Sequence, residues 1–345
     1  MIFFTVTVDD MEINDMSNFN NGDTPFESRI KVQELNHMAF RIRNEISKVI
    51  VGQERVLDLI LTALLANGHV LIEGVPGVAK TLIAKLLARS IDTGYSRIQF
   101  TPDLMPSDVL GTTVFNSATS TFEFNQGPVF SNLILIDEVN RAPAKTQSAL
   151  FEVMEERQVT IDGTTRQMDA PFLVIATQNP VEHEGTYRLP EAQLDRFLFK
   201  VKIDYPTLEQ EVTIMQNAGA RGIVKEIDEV HAVVSQEEIL KFQELVHHVI
   251  VEPQLLRYIA TIIEKTRKHS SIYLGASPRA SLSVLKASKA YAALEGRDFV
   301  TPEDIREVVY PVLVHRIILS PEKEMEGVKP ETVIRQILDS VEVPR

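Results

Sequence analysis

Cysteine is absent from all 345 residues, which excludes disulfides, thiol nucleophiles and cysteine–zinc sites and fits a reducing, cytoplasmic setting. No apolar run approaches the roughly 20 residues that crossing a bilayer requires. The opening MIFFTVTV is apolar, but it lacks the basic region, the length and the small-residue cleavage site of a signal peptide. Residues 1–28 hold six acids (Asp9, Asp10, Glu12, Asp15, Asp23, Glu27) and no lysine or arginine. Such a stretch buries too little surface to offset its ordering entropy, so it reads as a mobile acidic tail. A basic excess is missing too. The net charge of -13 argues against a broad grip on DNA or RNA, which needs a basic face.

What is present suits an ordinary globular chain of two domains, 44% hydrophobic and 24% charged. Residues 29–66 read as helix, with apolar positions at helical spacing on both sides of Gly52. From His69 the rhythm changes to short apolar runs (69–73, 97–100, 133–136, 172–176 and 197–203) with helical stretches between most of them. Strands alternating with helices predict a parallel sheet covered on both faces. Two hairpins interrupt it, 112–115 with 121–124, and 158–161 with 165–168 around the turn Asp162-Gly163. After about residue 206 no strand is expected. Thr207 with Gln210, Ser235 with Glu238, and Thr301-Pro302-Glu303-Asp304 mark helix starts. The expected division is therefore a tail (1–28), an α/β core (29–205) and an all-α lid domain (206–345).

The chemistry centres on Gly74-Val75-Pro76-Gly77-Val78-Ala79-Lys80-Thr81, which follows a strand and precedes a helix whose apolar face is Leu82, Ile83, Leu86 and Leu87. That is the setting of a P-loop, whose backbone N–H groups cradle phosphates. Lys80 would reach the β- and γ-phosphates and the Thr81 hydroxyl would ligate Mg2+. Ala79 stands where the strict pattern has glycine; alanine is the smallest replacement and suits a helix-like backbone. Leu133-Ile134-Leu135-Ile136-Asp137-Glu138 delivers two carboxylates at a strand's C-terminal end. Asp137 would hold Mg2+ and Glu138 would act as general base on the attacking water. Asn179 lies just past another strand, where it would hold water or the γ-phosphate. Arg196 is expected at the domain edge, reaching a neighbouring subunit's nucleotide. Arg279 opens a lid helix as a cation in the first turn, against the macrodipole, a cost that a nearby triphosphate would offset.

Together these residues resemble the MoxR family of AAA+ ATPases. The likeness is strongest in Gln99-Phe100-Thr101-Pro102-Asp103-Leu104, in Asp137-Glu138-Val139-Asn140-Arg141-Ala142, and in the run from Gly185-Thr186-Tyr187-Arg188 through Asp195-Arg196-Phe197. An Ala79-type P-loop is usual in that family. The resemblance implies a P-loop NTPase (AAA+) fold with a five-stranded parallel sheet. It also implies Walker motifs at Gly74 to Thr81 and Asp137-Glu138, sensor 1 at Asn179, an arginine finger at Arg196 and sensor 2 at Arg279. The hairpins would be the helix-2 insert and the pre-sensor-1 hairpin, projecting toward clients. Arg141 and Arg188 would contact nucleotide across the interface.

By the same resemblance the cofactors would be ATP and Mg2+ and the active form a homo-oligomer, usually a hexameric ring. The partners would be a von Willebrand factor A-domain protein and a client that is remodelled, matured or supplied with a metal cofactor. Two other readings compete: a magnesium-chelatase-like motor subunit, and a nucleotide-gated scaffold or nucleic-acid loader, against which the acidic charge weighs.

Overall fold

The computed structural model describes residues 25–75, 77–179, 189–221 and 226–344. Two helices come first, α1 (Pro25–Ser47) and α2 (Glu54–Leu65). The stretch expected as one helical region breaks between them, where Gly52 takes a left-handed φ of 77°. α1 starts inside the stretch read as tail, at Pro25, a residue that opens helices without losing a hydrogen bond. Residues 1–24 lie outside the described residues.

The α/β core follows as β1 (Val70–Gly74), α3 (Lys80–Ile91), β2 (Tyr95–Gln99), α4 (Pro106–Leu110), β3 (Gly111–Asn116), β4 (Thr121–Gln126), β5 (Leu133–Asp137), α5 (Ala144–Glu156), β6 (Gln158–Ile161), β7 (Thr164–Gln167), β8 (Leu173–Gln178), α6 (Glu191–Leu194) and β9 (Phe199–Ile203). Five strands form one parallel sheet in the order β2-β5-β8-β1-β9. Alternate residues face opposite sides. Val70, Ile72, Leu133, Leu135, Leu173 and Ile175 join α1, α2 and α3 in one core. Leu71, Ile134, Ile136, Val174 and Ala176 join Leu150, Phe151 and Phe197 in the other. Burial on both faces explains why these strands read as continuous apolar runs.

The remaining elements are α7 (Leu208–Arg221), α8 (Gln236–His247), α9 (Pro253–Lys268), β10 (Ile272–Leu274), α10 (Pro278–Leu294), α11 (Pro302–Leu313), β11 (Ile318–Leu319), α12 (Pro321–Met325) and α13 (Pro330–Ser340). The Ser235 and Thr301 capping boxes both form. One expectation needs correction, because β10 and β11 pair antiparallel in a region read as purely helical. With three and two residues they are too short to show a period of 2. The apolar faces of α8 to α11 and of α13 run into the same core as α1 and α2, and α10 packs directly on both of those helices. That packing fixes where the start of α10 can lie. None of the described helices is long and apolar enough to cross a membrane.

Both hairpins form, and they touch. Thr113 Oγ1 donates to Asp162 Oδ2, and the Arg166 guanidinium lies 3.9 Å from the Phe124 ring centroid. Phe124 also meets Phe130 edge-on at 5.8 Å, so it packs the hairpin down. Phe122, 74% exposed, and Phe115, 53% exposed, pack edge-on against each other and stay open to solvent.

Candidate functional site

β1 ends at Gly74, where a Cβ would lie 2.9 Å from the Ile203 carbonyl, so only glycine lets β1 and β9 close up here. The chain then turns through Gly77 (φ 88°) and Ala79 (φ 60°, ψ 19°), both left-handed. The helix-like backbone expected of Ala79 is not found. An alanine in this region costs roughly 1–2 kcal/mol, and the strain turns the loop sharply into α3. Val78 is buried, anchoring the loop from below, while Val75 is partly buried against the same core. Pro76 lies outside the described residues.

Lys80 Nζ donates to the Gly74 carbonyl, folding back over the loop. Burial pushes its pKa below the ordinary lysine range, against the opposing pull of Asp137, Glu138 and Glu73. The Thr81 hydroxyl stands 3.4 Å from each carboxylate oxygen of Asp137. Asp137 is also held by Arg97 Nε at 2.7 Å and by the Thr177 hydroxyl at 3.2 Å. Thr177 at the same time accepts the Glu138 backbone N–H at 3.0 Å. Glu138 itself is left-handed (φ 58°, ψ 51°), a strained conformation for a non-glycine residue that re-aims its side chain past the strand end. Its carboxylate accepts from Arg141 at 2.8 Å and from Gln99 at 3.1 Å. Asn179 follows β8 directly, between the strand ends that carry Asp137 and the P-loop.

Beside the loop is a cavity of about 200 Å3 lined by Val49, Ile50, Val51, Leu82, Ile214 and Asn217, among others. Its apolar walls and its contact with Gly77, Val78 and Ala79 suit a flat aromatic base whose phosphates run into the P-loop. Among the described residues no three His, Asp or Glu side chains cluster as a metal cage. A divalent ion here would rest on Thr81, Asp137, phosphate oxygens and water, as Mg2+ typically does.

The arginines lie elsewhere. Leu198 N–H donates to the His69 carbonyl, so Arg196 stands level with the start of β1, whereas the P-loop follows its end. The two are roughly 16 Å apart along the strand, at 3.3 Å per residue. Arg279 was expected to have its charge offset by a triphosphate. Within the chain its guanidinium pairs with two acids, Glu155 at 2.7 Å and Asp195 at 3.8 Å. Arg196 pairs with the same Glu155 at 3.5 Å. Arg141 pairs with Glu138 of its own chain, and Arg188 lies outside the described residues.

Sequence reading missed the supports. Arg316 is buried and donates to Asp195 Oδ1 at 2.6 Å and to the carbonyls of Asp195, Phe197, Leu198 and Val312, locking the Arg196 turn to the end of α11. Burial pushes this guanidinium's pKa down, with the Asp195 hydrogen bond opposing. His315 Nε2 donates to the Phe197 carbonyl (3.0 Å); His69 lies between the Met154 carbonyl and the Val174 N–H, both at 3.1 Å. Burial drives His69 down to about 3 and His315 well below its ordinary value.

Unfolded histidines titrate near 6.5, so between there and about 3 the unfolded chain binds protons that folded His69 refuses. Stability is therefore full above pH 6.5 and falls as the pH drops. From pH 7 to 5 the loss from His69 comes to about 2 kcal/mol. Denaturant melts over that range should show a shallower decline in His69→Gln, which keeps one donor and one acceptor. Equal slopes would put the proton uptake elsewhere.

Residues 69–199 match the ATPase family associated with various cellular activities (AAA), and residues 264–337 match the AAA lid domain. YeaC of Bacillus subtilis is 46% identical over 90% of this chain and 97% of its own length. Chaperone MoxR1 of Mycobacterium tuberculosis is 44% identical over 90% of this chain and 83% of its own. A crystal structure of a candidate ATPase from Cytophaga hutchinsonii superposes with a TM-score of 0.86 at 42% identity, covering 93% of this chain and 99% of that one. The chain belongs to the MoxR family of AAA+ ATPases.

Proposed function

We propose that this ATPase hydrolyses Mg-ATP at sites shared between adjoining copies and uses the cycle to remodel a client protein. One observation carries the reading. Lys80, Thr81, Asp137 and Glu138 gather at one end of the sheet, while Arg196 and Arg279 gather at the other. A site needing both sets is completed only by a second copy in a head-to-tail contact, which closes into a ring. We take that ring to be a hexamer.

Within a site, Gly74 to Thr81 would bind the phosphates and the apolar slot at Val49–Val51 and Ile214 would hold the base. Mg2+ at Thr81 and Asp137 would supply charge neutralisation on the phosphates. Glu138 would accept the proton of the attacking water, and Asn179 would orient that water. Arg196 and Arg279 of the adjoining copy would meet the charge that builds during transfer. Phe122 and Phe115, exposed at the hairpin tip, are suited to touch a client. A von Willebrand factor A-domain protein is the partner that the family membership suggests, with a client matured by refolding or metal insertion.

The direct test is steady-state Mg-ATPase activity against protein concentration. Specific activity should climb with concentration and then level off as shared sites fill. Constant specific activity over two decades of dilution would mean a self-contained site and would remove the ring.

A further inference from the structure

α5 ends in Glu155-Glu156, at the end where a helix macrodipole is negative, and Arg279 lies in the first turn of α10, where it is positive. Each charge opposes its own helix, and each is tolerated because the two meet. Glu155 Oε1 accepts from Arg279 Nη2 at 2.7 Å, while Oε2 faces Arg196 Nε at 3.5 Å. One carboxylate thus spans an arginine from the nucleotide-binding core and an arginine from the lid.

Its surroundings make that carboxylate more consequential. Glu155 borders a cavity of about 340 Å3 whose other charged lining groups are Arg157, Arg196, Lys286 and Lys289. In a chain of net charge -13 this is a local reversal of sign, with Glu155 the one acid among the lining residues. Arg157 is committed to Asn67 and Lys289 to the His247 carbonyl. Arg196 has its backbone fixed by its neighbours, but its guanidinium has Glu155 as its ion-pair partner among the described residues. Arg196 meets Glu155 through Nε.

We infer that Glu155 is a positioning residue. With one oxygen per arginine it sets the separation of Arg196 from Arg279 and presents their remaining N–H groups, as a unit, to the phosphates of a nucleotide held by an adjoining copy. Without it the cationic lining has no internal acid, and the half-exposed Arg279 keeps only its longer pair to Asp195 at 3.8 Å, which does not tie it to Arg196. The inference rests on the shared-site reading above.

The experiment measures kcat, KM for ATP and melting temperature for Glu155→Gln and Glu155→Asp, alone and in equimolar mixtures with Glu138→Gln or Arg196→Ala. Glu155→Gln should lower kcat between about ten- and a hundredfold, the scale of a misplaced catalytic group. KM should stay within about twofold, because the chain's own P-loop is untouched. Glu155→Asp, which keeps the charge, should recover part of the loss. Glu155→Gln mixed with Glu138→Gln should regain activity, whereas mixed with Arg196→Ala it should not, since both lesions damage the same face. Unchanged kcat, or recovery in the Arg196→Ala mixture, would overturn the assignment. So would an equal defect in both Glu155 variants accompanied by lower melting temperatures. Failure of Arg196→Ala and Glu138→Gln to rescue each other would instead sink the shared site itself, whatever Glu155 does.

Discussion

Arg196→Ala should lower kcat by about a thousandfold or more, the range seen when an arginine supplied to a transferring phosphoryl group is removed. The size follows from where the charge appears. An interaction that strengthens only as charge builds on the equatorial oxygens acts on kcat and leaves ground-state binding almost alone. KM for ATP should therefore change little, because the base slot and P-loop belong to the other chain. The lesion should also be curable. In an equimolar mixture with Glu138→Gln, about one interface in four pairs an intact Glu138 with an intact Arg196, so activity should return to roughly that fraction. Loss below tenfold, with no recovery on mixing, would reduce Arg196 to a partner of Glu155 in a structural ion pair.

The phosphate half of this site was legible because it is local. An apolar strand, a glycine loop, Lys80-Thr81 and an amphipathic helix follow one another without a break, as do the strand and the carboxylates of Asp137 and Glu138. The positive φ of Ala79 and Glu138 was not legible, since no side-chain pattern encodes a strained backbone that its surroundings impose. The acids that pair with Arg279 were not legible for a different reason. The position of that arginine depends on α10 packing against α1 and α2, more than two hundred residues earlier in the chain. The apolar cavity beside the P-loop escaped because it is assembled from three separated segments. His69, Arg316 and Thr177 escaped because a polar residue at the edge of an apolar run looks like the end of the run. A sharper reading would have asked what Arg316 does in so apolar a setting, since a buried guanidinium needs acceptors.

Glu138→Gln should abolish steady-state turnover, by about a hundred- to ten-thousandfold, the usual span for removing a general base. Glutamine is nearly isosteric and can still accept from Arg141 and Gln99, so the strained turn at residue 138 should survive. The Thr177 hydroxyl would continue to take the backbone N–H and to hold Asp137. Nucleotide affinity should consequently persist, and the variant should trap ATP and stabilise the assembled form. That combination separates the base from a merely structural acid. A structural role for Glu138 would show as weaker nucleotide binding and a lower melting temperature together with the lost turnover. Turnover within tenfold of the parent would place the proton acceptor elsewhere. The carboxylate pair at the end of β5 would then serve the metal alone.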